Sequence, residues 1–409
     1  MKTKEIEVSR KHIKLRVVLT ISFLAIAIAA FTIGIVSLGN NEKGYYQLEP
    51  DYHNEKALYR YGITGTFYFS GNSNKIKSDI NEVKQIMSDS LLESYILFDE
   101  VESTLGKYSI ADINKNVNSE VSVDPITYEV LSDALNKTHE NKNYSIYSAP
   151  IFAFWERLAS YPEENREQYD PANYIENREE LEALVSFCKE DHINLELKDD
   201  YKAILHVSNE YLTYREENEI TAPLLSLNVL KESYRLDLLV KELEKTPFTN
   251  GYIMSATGSL ISLKDHENPV YSLYTYKEDQ IQRSCRVDYS SPSCVSSLRR
   301  FNMNAIDTNY FLEDGTNRSQ IINLQTGYGD NYYMSSSLFF KNNDIISATY
   351  LNYYLSTITD NLGDVLTSIG DSVGYAFSRN ENEKILYITN NLSDLVTINS
   401  EIGYNLTII

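Results

Sequence analysis

The chain has 409 residues, with 37 Lys and Arg against 58 Asp and Glu, so its formal net charge is −21. That balance excludes a general nucleic-acid binder, which neutralises phosphates with clustered cations, and fits solubility and repulsion from an anionic membrane surface. A 42% hydrophobic content with 33 tyrosines describes a globular protein with room for a sizeable core, and 16 glycines are too few for abundant phosphate cradles, where backbone must approach a ligand with no Cβ between.

Residues 1–16 carry Lys2, Lys4, Arg10, Lys11, Lys14 and Arg16, and Val17 to Leu38 is an uncharged apolar run. At about 1.5 Å per residue that run crosses a hydrocarbon layer of about 30 Å. It reads as a transmembrane signal anchor, with 1–16 cytoplasmic by the positive-inside bias and everything beyond 38 extracytoplasmic. A cleaved signal peptide would have a shorter apolar region and a small-residue cleavage site, and neither fits. Residues 39–58 are polar and aperiodic and read as a tether to a single domain at 59–409.

Within that domain, Ile63 to Phe69 is a β-branched and aromatic strand, and Ile80, Val83, Ile86 and Met87 share one face of a helix over Ile80 to Leu92. Asp124 before Pro125 marks a helix start, and Asn177 with Glu180 resembles a capping box opening a helix whose stripe is Leu181, Leu184, Val185 and Cys188. Tyr161 to Ile175, polar and Pro-bearing, reads as a surface loop. Leu230 to Leu243 is a further helix. Strands are expected at Gly251 to Ala256, Leu260 to Leu263, Val270 to Tyr276, Ser335 to Phe340, Gly374 to Phe377 and Ile385 to Thr389. The mixture is an α+β domain. Three cysteines make no disulfide framework, and whether Cys285 and Cys294 pair across a polar loop or stay free is left open.

A series of short stretches then follows the order of motifs in one family. Tyr108 to Asn114 (YSIADIN) is similar to Ser-Glu-Ile-x-x-Leu-Asn, with Ser109 in place of the acid. Tyr144 to Trp155 (YSIYSAPIFAFW) is similar to Phe-Asp-x-Thr-x-Gly-Pro and an apolar run ending in Trp, with Ser145 and Tyr147 at the Asp and Thr positions. Leu227 to Asp237 (LNVLKESYRLD) lies on Leu-Gly-Gly-Ile-Ala-Lys-Gly-Tyr-Ala-x-Asp. Tyr234 and Asp237 are kept there, Asn228 and Val229 replace glycines, and Glu232 replaces Lys unless the alignment slips onto Lys231. Gly258 in ATGSL keeps one glycine of a pair. Tyr310 to Gly329 (YFLEDGTNRSQIINLQTGYG) resembles a Tyr, a charged turn and His-Ile-Leu-Asp-Pro-x-Thr-Gly. Gln320, Asn323 and Leu324 stand at the His, Asp and Pro positions, and Thr326 and Gly327 match. Tyr353 to Thr357 (YYLST) lies on Asp-Ala-Leu-Ser-Thr, with Tyr353 replacing the Asp.

The ordered set resembles the FAD:protein FMN transferase family, and the resemblance implies a flavin-transferase-like domain of mixed sheets with flanking helices. It implies FAD and Mg²⁺ as cofactors and transfer of FMN to a protein Ser or Thr hydroxyl. Tyr234, Asp237, Gly258, Thr326, Gly327 and Thr357 become the cofactor-binding positions. At the reactive ones, Gln320 is no base, Tyr353 is a poor Mg²⁺ ligand, and Glu232 brings negative charge toward the phosphates. Metal ligands displaced to Asp330 or Asp360, beside Thr357, would be needed for activity; these and Asp344 otherwise read as surface acids. Tyr234 and Tyr328 either stack on a flavin or belong to ordinary packing. No zinc set, nucleophile elbow, dinucleotide fingerprint or paired-histidine spacing is present. The expectation is a pseudoenzyme acting as a binding or scaffold module beside membrane or surface flavoproteins. The alternatives are a working transferase with relocated ligands and an unrelated surface interaction domain.

Overall fold

The structure is a computed structural model that describes residues 42–51, 62–140, 143–263, 271–277, 280–288, 294–299, 310–314, 316–318, 321–329, 335–358, 362–370, 373–378, 384–401 and 403–409. In chain order the first half comprises β1 (Glu42–Leu48), β2 (Thr64–Gly71), α1 (Ser73–Leu97), α2 (Ile110–Lys115), β3 (Glu120–Ser122), α3 (Pro125–Glu140), α4 (Ala149–Ala159), α5 (Glu163–Tyr169), α6 (Ile175–Phe187), β4 (Ile193–Lys198), β5 (Lys202–Val207) and α7 (Asn209–Glu217). The second half comprises α8 (Lys231–Glu244), β6 (Gly251–Met254), β7 (Leu260–Ser262), β8 (Tyr271–Lys277), β9 (Gln280–Val287), β10 (Cys294–Arg299), β11 (Tyr310–Phe311) and β12 (Asn317–Arg318). It ends with β13 (Ser335–Phe340), α9 (Ile345–Thr357), α10 (Leu362–Ile369), β14 (Val373–Ser378), β15 (Ile385–Ile388), β16 (Val396–Ile398) and β17 (Asn405–Ile408).

A nine-stranded sheet runs β1-β2-β6-β7-β10-β13-β14-β15-β17. Its described pairings are antiparallel except β15 with β17. Strand alternation sends side chains to two different cores. Phe67, Ile253, Cys294, Leu338, Tyr375 and Phe377 face α1, α8 and α9, whereas Leu260, Val295, Phe339 and Ala376 meet the small sheet β16-β9-β8 on the other face. A second lobe gathers α2, α3, α7 and the sheet β3-β5-β4 around Leu131, Leu195, Leu205 and Tyr211, with Tyr234 of α8 reaching into it. Helix α8 therefore touches both lobes, with Leu236 and Leu239 on one side and Tyr234 on the other.

Local sequence explains the helix starts. Asn72 accepts from the Lys75 amide at 2.9 Å and opens α1, and the Asp124 carboxylate accepts from the Ile126 amide at 2.9 Å and opens α3. The helix expected to be capped by Asn177 is capped at Tyr174, three residues earlier, and the Asn177 side chain donates to the Tyr169 carbonyl at 2.6 Å. The stretch Tyr161 to Ile175 is not simply a loop: it contains α5 and then the fully buried Asp170.

The expectation of an aperiodic tether over 39–58 is corrected at Glu42–Leu48, which forms β1 in full register with β2, from Glu42 opposite Gly71 to Leu48 opposite Gly65. The weak period-two signal, Tyr46 and Leu48 inward with Tyr45 and Gln47 outward, is hidden by the polar residues of an edge strand. The remainder of the segment at 52–58 and the apolar run Val17 to Leu38 lie outside the described residues. Among the described residues, no helix is long and apolar enough to cross a membrane.

Cys285 and Cys294 are free thiols. They belong to cores on opposite faces of the main sheet, which rules out the pairing left open from spacing. Burial pushes the Cys285 and Cys188 thiols up to about 12 and raises Cys294 as well. The thiolate is the reactive form, so at pH 8 a thiol near 12 is ionised to only about one part in ten thousand. A disulfide-exchange reagent at pH 8 is expected to leave the native thiols essentially unmodified and to titrate all 3 cysteines in guanidinium. Leu48→Ala is expected to lower unfolding free energy by about 2–4 kcal/mol in urea titration, whereas a free tether at that position would leave it unchanged.

Candidate functional site

The segment 323–328 forms a self-contained turn. The Asn323 carbonyl accepts from the Thr326 and Gly327 amides at 3.2 and 2.8 Å, and the Asn323 amide donates to the Tyr328 carbonyl at 2.8 Å. The Asn323 side chain accepts from the Gln325 amide at 2.9 Å, so Asn at the family's Asp position stabilises the turn locally. Gly327 has φ +76°, and a Cβ there would lie 2.7 Å from Val185 and 2.9 Å from Leu181 on α6. Glycine is required both by the left-handed backbone and by this close approach. The Trp155 indole on α4 donates to the Gly327 carbonyl at 2.7 Å.

A buried ion pair supports this turn from below. Arg318 donates twice to Asp170, at 2.9 and 3.0 Å, and the Tyr310 hydroxyl donates to the same carboxylate at 2.7 Å. The Arg318 guanidinium lies 4.8 Å from the Tyr328 ring centre and 5.6 Å from that of Trp155. Tyr328 is thus engaged by protein cation and indole. Sequence reasoning missed this group, since an Arg and an Asp in polar stretches read as surface residues; the adjoining aromatic residues Tyr310, Tyr328 and Trp155 were the available signal.

Above the turn lies a cleft of 570 Å³ formed by the end of α3, the segment Tyr144–Ser148, the end of α6 and Leu324–Gln325. It joins two of the motif stretches, with Ser145 and Tyr147 on one wall and Leu324 on another. Burial pushes the Tyr147 phenol up to about 12, and its oxygen accepts from the Leu195 amide at 2.9 Å.

A second cluster unites Glu232 and Gly258. The Glu232 carboxylate, in the first turn of α8, accepts from the Thr257 hydroxyl at 2.8 Å, and Thr257 also meets the Ser255 hydroxyl at 2.8 Å. Gly258 follows at φ +90°, and its carbonyl accepts from Tyr271 at 3.0 Å. Lys231 points elsewhere, to Glu100 at 2.6 Å. Tyr353 of α9 is 1% exposed, and its hydroxyl donates to the Ile322 carbonyl at 2.6 Å while accepting from the Ile322 amide at 3.3 Å. Burial raises its pKa, so it is a neutral phenol closed on the backbone just before the turn. Thr357, 2% exposed, donates to the Tyr354 carbonyl at 2.9 Å.

Other expected site residues are placed in structural roles. Tyr234 is buried and its hydroxyl donates to Asp133 at 2.6 Å, while Asp237 pairs with Lys241 at 2.8 Å one helical turn on. Burial raises the Asp237 pKa, with Lys241 opposing. Asp344 caps α9 by accepting from the Ser347 amide at 2.9 Å. Gln320, Asp330 and Asp360 lie outside the described residues.

The described residues do not fit a magnesium ion at the Tyr353–Thr357 positions, which present a neutral phenol and a buried hydroxyl, both already bonded to backbone carbonyls. Among the described residues, no three His, Cys, Asp or Glu side chains are grouped to hold a metal. Nor does the Glu232–Thr257 cluster fit a pyrophosphate, because its carboxylate would face the phosphate charges.

No family model matches the chain, and no curated protein matches it. Solved structures do. The ApbE protein of Thermotoga maritima aligns at 16% identity over 83% of this chain and 98% of its own, with a TM-score of 0.53. The flavin transferase ApbE of Vibrio cholerae aligns at 11% identity over 87% of this chain and 100% of its own, with a TM-score of 0.52. The flavinyl transferase ApbE of Pseudomonas stutzeri, in its apo form, aligns at 11% identity over 87% and 97%, with a TM-score of 0.52. The chain therefore has an ApbE-like, mixed α+β fold at low identity, as the ordered motifs implied.

Gly327→Ala must strain the left-handed backbone and push into α6, at a cost of about 2–4 kcal/mol. Trp155 is the only tryptophan of the 409 residues, so intrinsic fluorescence reports this turn directly. A red-shifted, quencher-accessible emission is expected in the variant, together with a lower urea midpoint.

Proposed function

We propose that the chain is a membrane-anchored, extracytoplasmic relative of the flavin transferases whose transfer chemistry has been lost, and that it serves as a binding or scaffold module beside membrane or surface flavoproteins. The carrying observation is Tyr353. The side chain at the position of the family's acid is buried, neutral and closed on both polar atoms of Ile322. A phenol held in that way offers no charge to a hard cation, and opening it would expose the Ile322 backbone pair to a buried, unsatisfied state.

Three further features support the same reading. Glu232 replaces a cation with an anion and is tied to Thr257. Asn323 cannot act as a carboxylate and is spent on its own turn. Gln320 at the His position has no basic nitrogen, and loss of a general base alone lowers a rate about 10²- to 10⁴-fold. The placement outside the cytoplasmic membrane rests on the basic tail and the apolar run Val17 to Leu38.

The test is calorimetric titration of the full chain with FAD, with and without Mg²⁺, beside an assay for AMP release and for FMN on a Thr-bearing acceptor peptide. No transfer and no magnesium-dependent binding are expected. Transfer above the no-enzyme control would overturn the reading and direct attention to Asp330 and Asp360.

A further inference from the structure

Several polar atoms of the cleft lining are engaged within the protein. The Tyr144 hydroxyl donates to the Leu227 carbonyl at 3.2 Å, and the Tyr147 oxygen is occupied by the Leu195 amide. The Ser148 hydroxyl donates to the Ser145 carbonyl at 2.7 Å, and the Ser145 hydroxyl oxygen accepts from the Tyr147 amide at 3.1 Å. What a visitor meets on the floor is the half-buried aliphatic surface of Val185 and Leu324, since Tyr144, Tyr147 and Ile151 are at most 2% exposed. The Cys188 thiol also lines the wall, but burial keeps it protonated, so it offers no covalent chemistry.

The rim is different. Its carboxylates are Glu190 and Asp191, beside Lys189 and the His139 ring. Glu190 is held at 3.1 Å by the His139 ring, and both side chains are about half exposed, so this contact gives way readily to a cation. The chain as a whole adds a field of −21 charges. A net negative charge attracts cations to the molecule as a whole and disfavours the approach of phosphates.

An apolar floor under an acidic rim matches a ligand with an aliphatic stem and a cationic head, which is the shape of an arginine or lysine side chain. We infer that the cleft receives a basic side chain presented by a partner polypeptide, with the stem over Val185 and Leu324 and the cation at Glu190 and Asp191. This rests on the binding-module reading and gives that module the chemistry of its partner. Arginine is the better fit of the two, since its guanidinium sheds water more easily and pairs with carboxylates through two parallel bonds.

The experiment uses the full chain and three probes: acetyl-Gly-Leu-Arg-Leu-Gly-amide, the same peptide with citrulline in place of arginine, and FAD. Citrulline keeps the shape and removes the charge. The arginine peptide is expected to bind about three- to tenfold more tightly than the citrulline peptide at low salt, with the difference shrinking as salt rises. The combined substitutions Glu190→Gln and Asp191→Asn are expected to erase that difference without moving Trp155 fluorescence, which reports an intact turn. Equal binding of the two peptides, a preference that survives the double substitution, or no binding of either peptide overturns this inference and leaves the binding-module reading standing. Magnesium-dependent displacement of the arginine peptide by FAD, accompanied by FMN transfer, overturns the reading beneath it as well.

Discussion

Asp170 and Arg318 stand 148 residues apart and meet through two hydrogen bonds, with the carboxylate fully buried. Removing both charges from water carries a desolvation cost that only good geometry and further hydrogen bonds offset. The site supplies them: Tyr310 donates to the carboxylate, the Ala172 amide donates at 2.9 Å, and two aromatic rings flank the guanidinium. A pair of this kind tolerates little displacement, so it sets where the backbone of 310–314 and 316–318 lies against α5 and the start of α6. Tyr328 and Trp155 are then placed by Arg318, Gly327 by Trp155, and the wall of the cleft by Gly327.

Around α9, the described interior is held by neutral hydrogen bonds. Asn352 donates to the Ser296 carbonyl at 3.0 Å and accepts from the Ser336 hydroxyl at 2.7 Å, and Ser336 also meets the Ser356 hydroxyl at 2.8 Å. Tyr353 on the neighbouring face of α9 closes on Ile322. In a low-dielectric interior, satisfied neutral groups cost far less than carboxylates waiting for a cation. The fold is thus self-sufficient at this position, and a metal is not needed to hold α9 against the sheet and the turn.

Charge is distributed in the same sense. Glu232 at the foot of α8 lies where a helix N-terminus favours an anion of the protein's own, and Thr257 completes it. A phosphate arriving there would meet a carboxylate in place of a lysine. The cleft rim carries Glu190 and Asp191, and the whole chain carries a net charge of −21.

The sequence by itself determined the periodic elements and the order of motifs. β2, α1, α3, α8 and the strands β6, β7, β8, β13, β14 and β15 were legible because Phe67 with Phe69, or Val83 with Met87, repeat at the spacing of a strand or a helix, whereas β9 to β12 were not. The flavin-transferase-like fold was legible because the matching residues keep their order along the chain. Tertiary structure alone decided the edge strand β1, whose polar side chains carry almost no periodic signal and whose identity comes from backbone pairing with β2. It also decided that Asp170 and Arg318 form a buried pair, that Cys285 and Cys294 lie on opposite faces of the main sheet, and that Tyr234 turns toward Asp133. Those outcomes depend on which separate segments meet, and no local spacing encodes a contact such as that between Asp170 and Arg318, 148 positions apart.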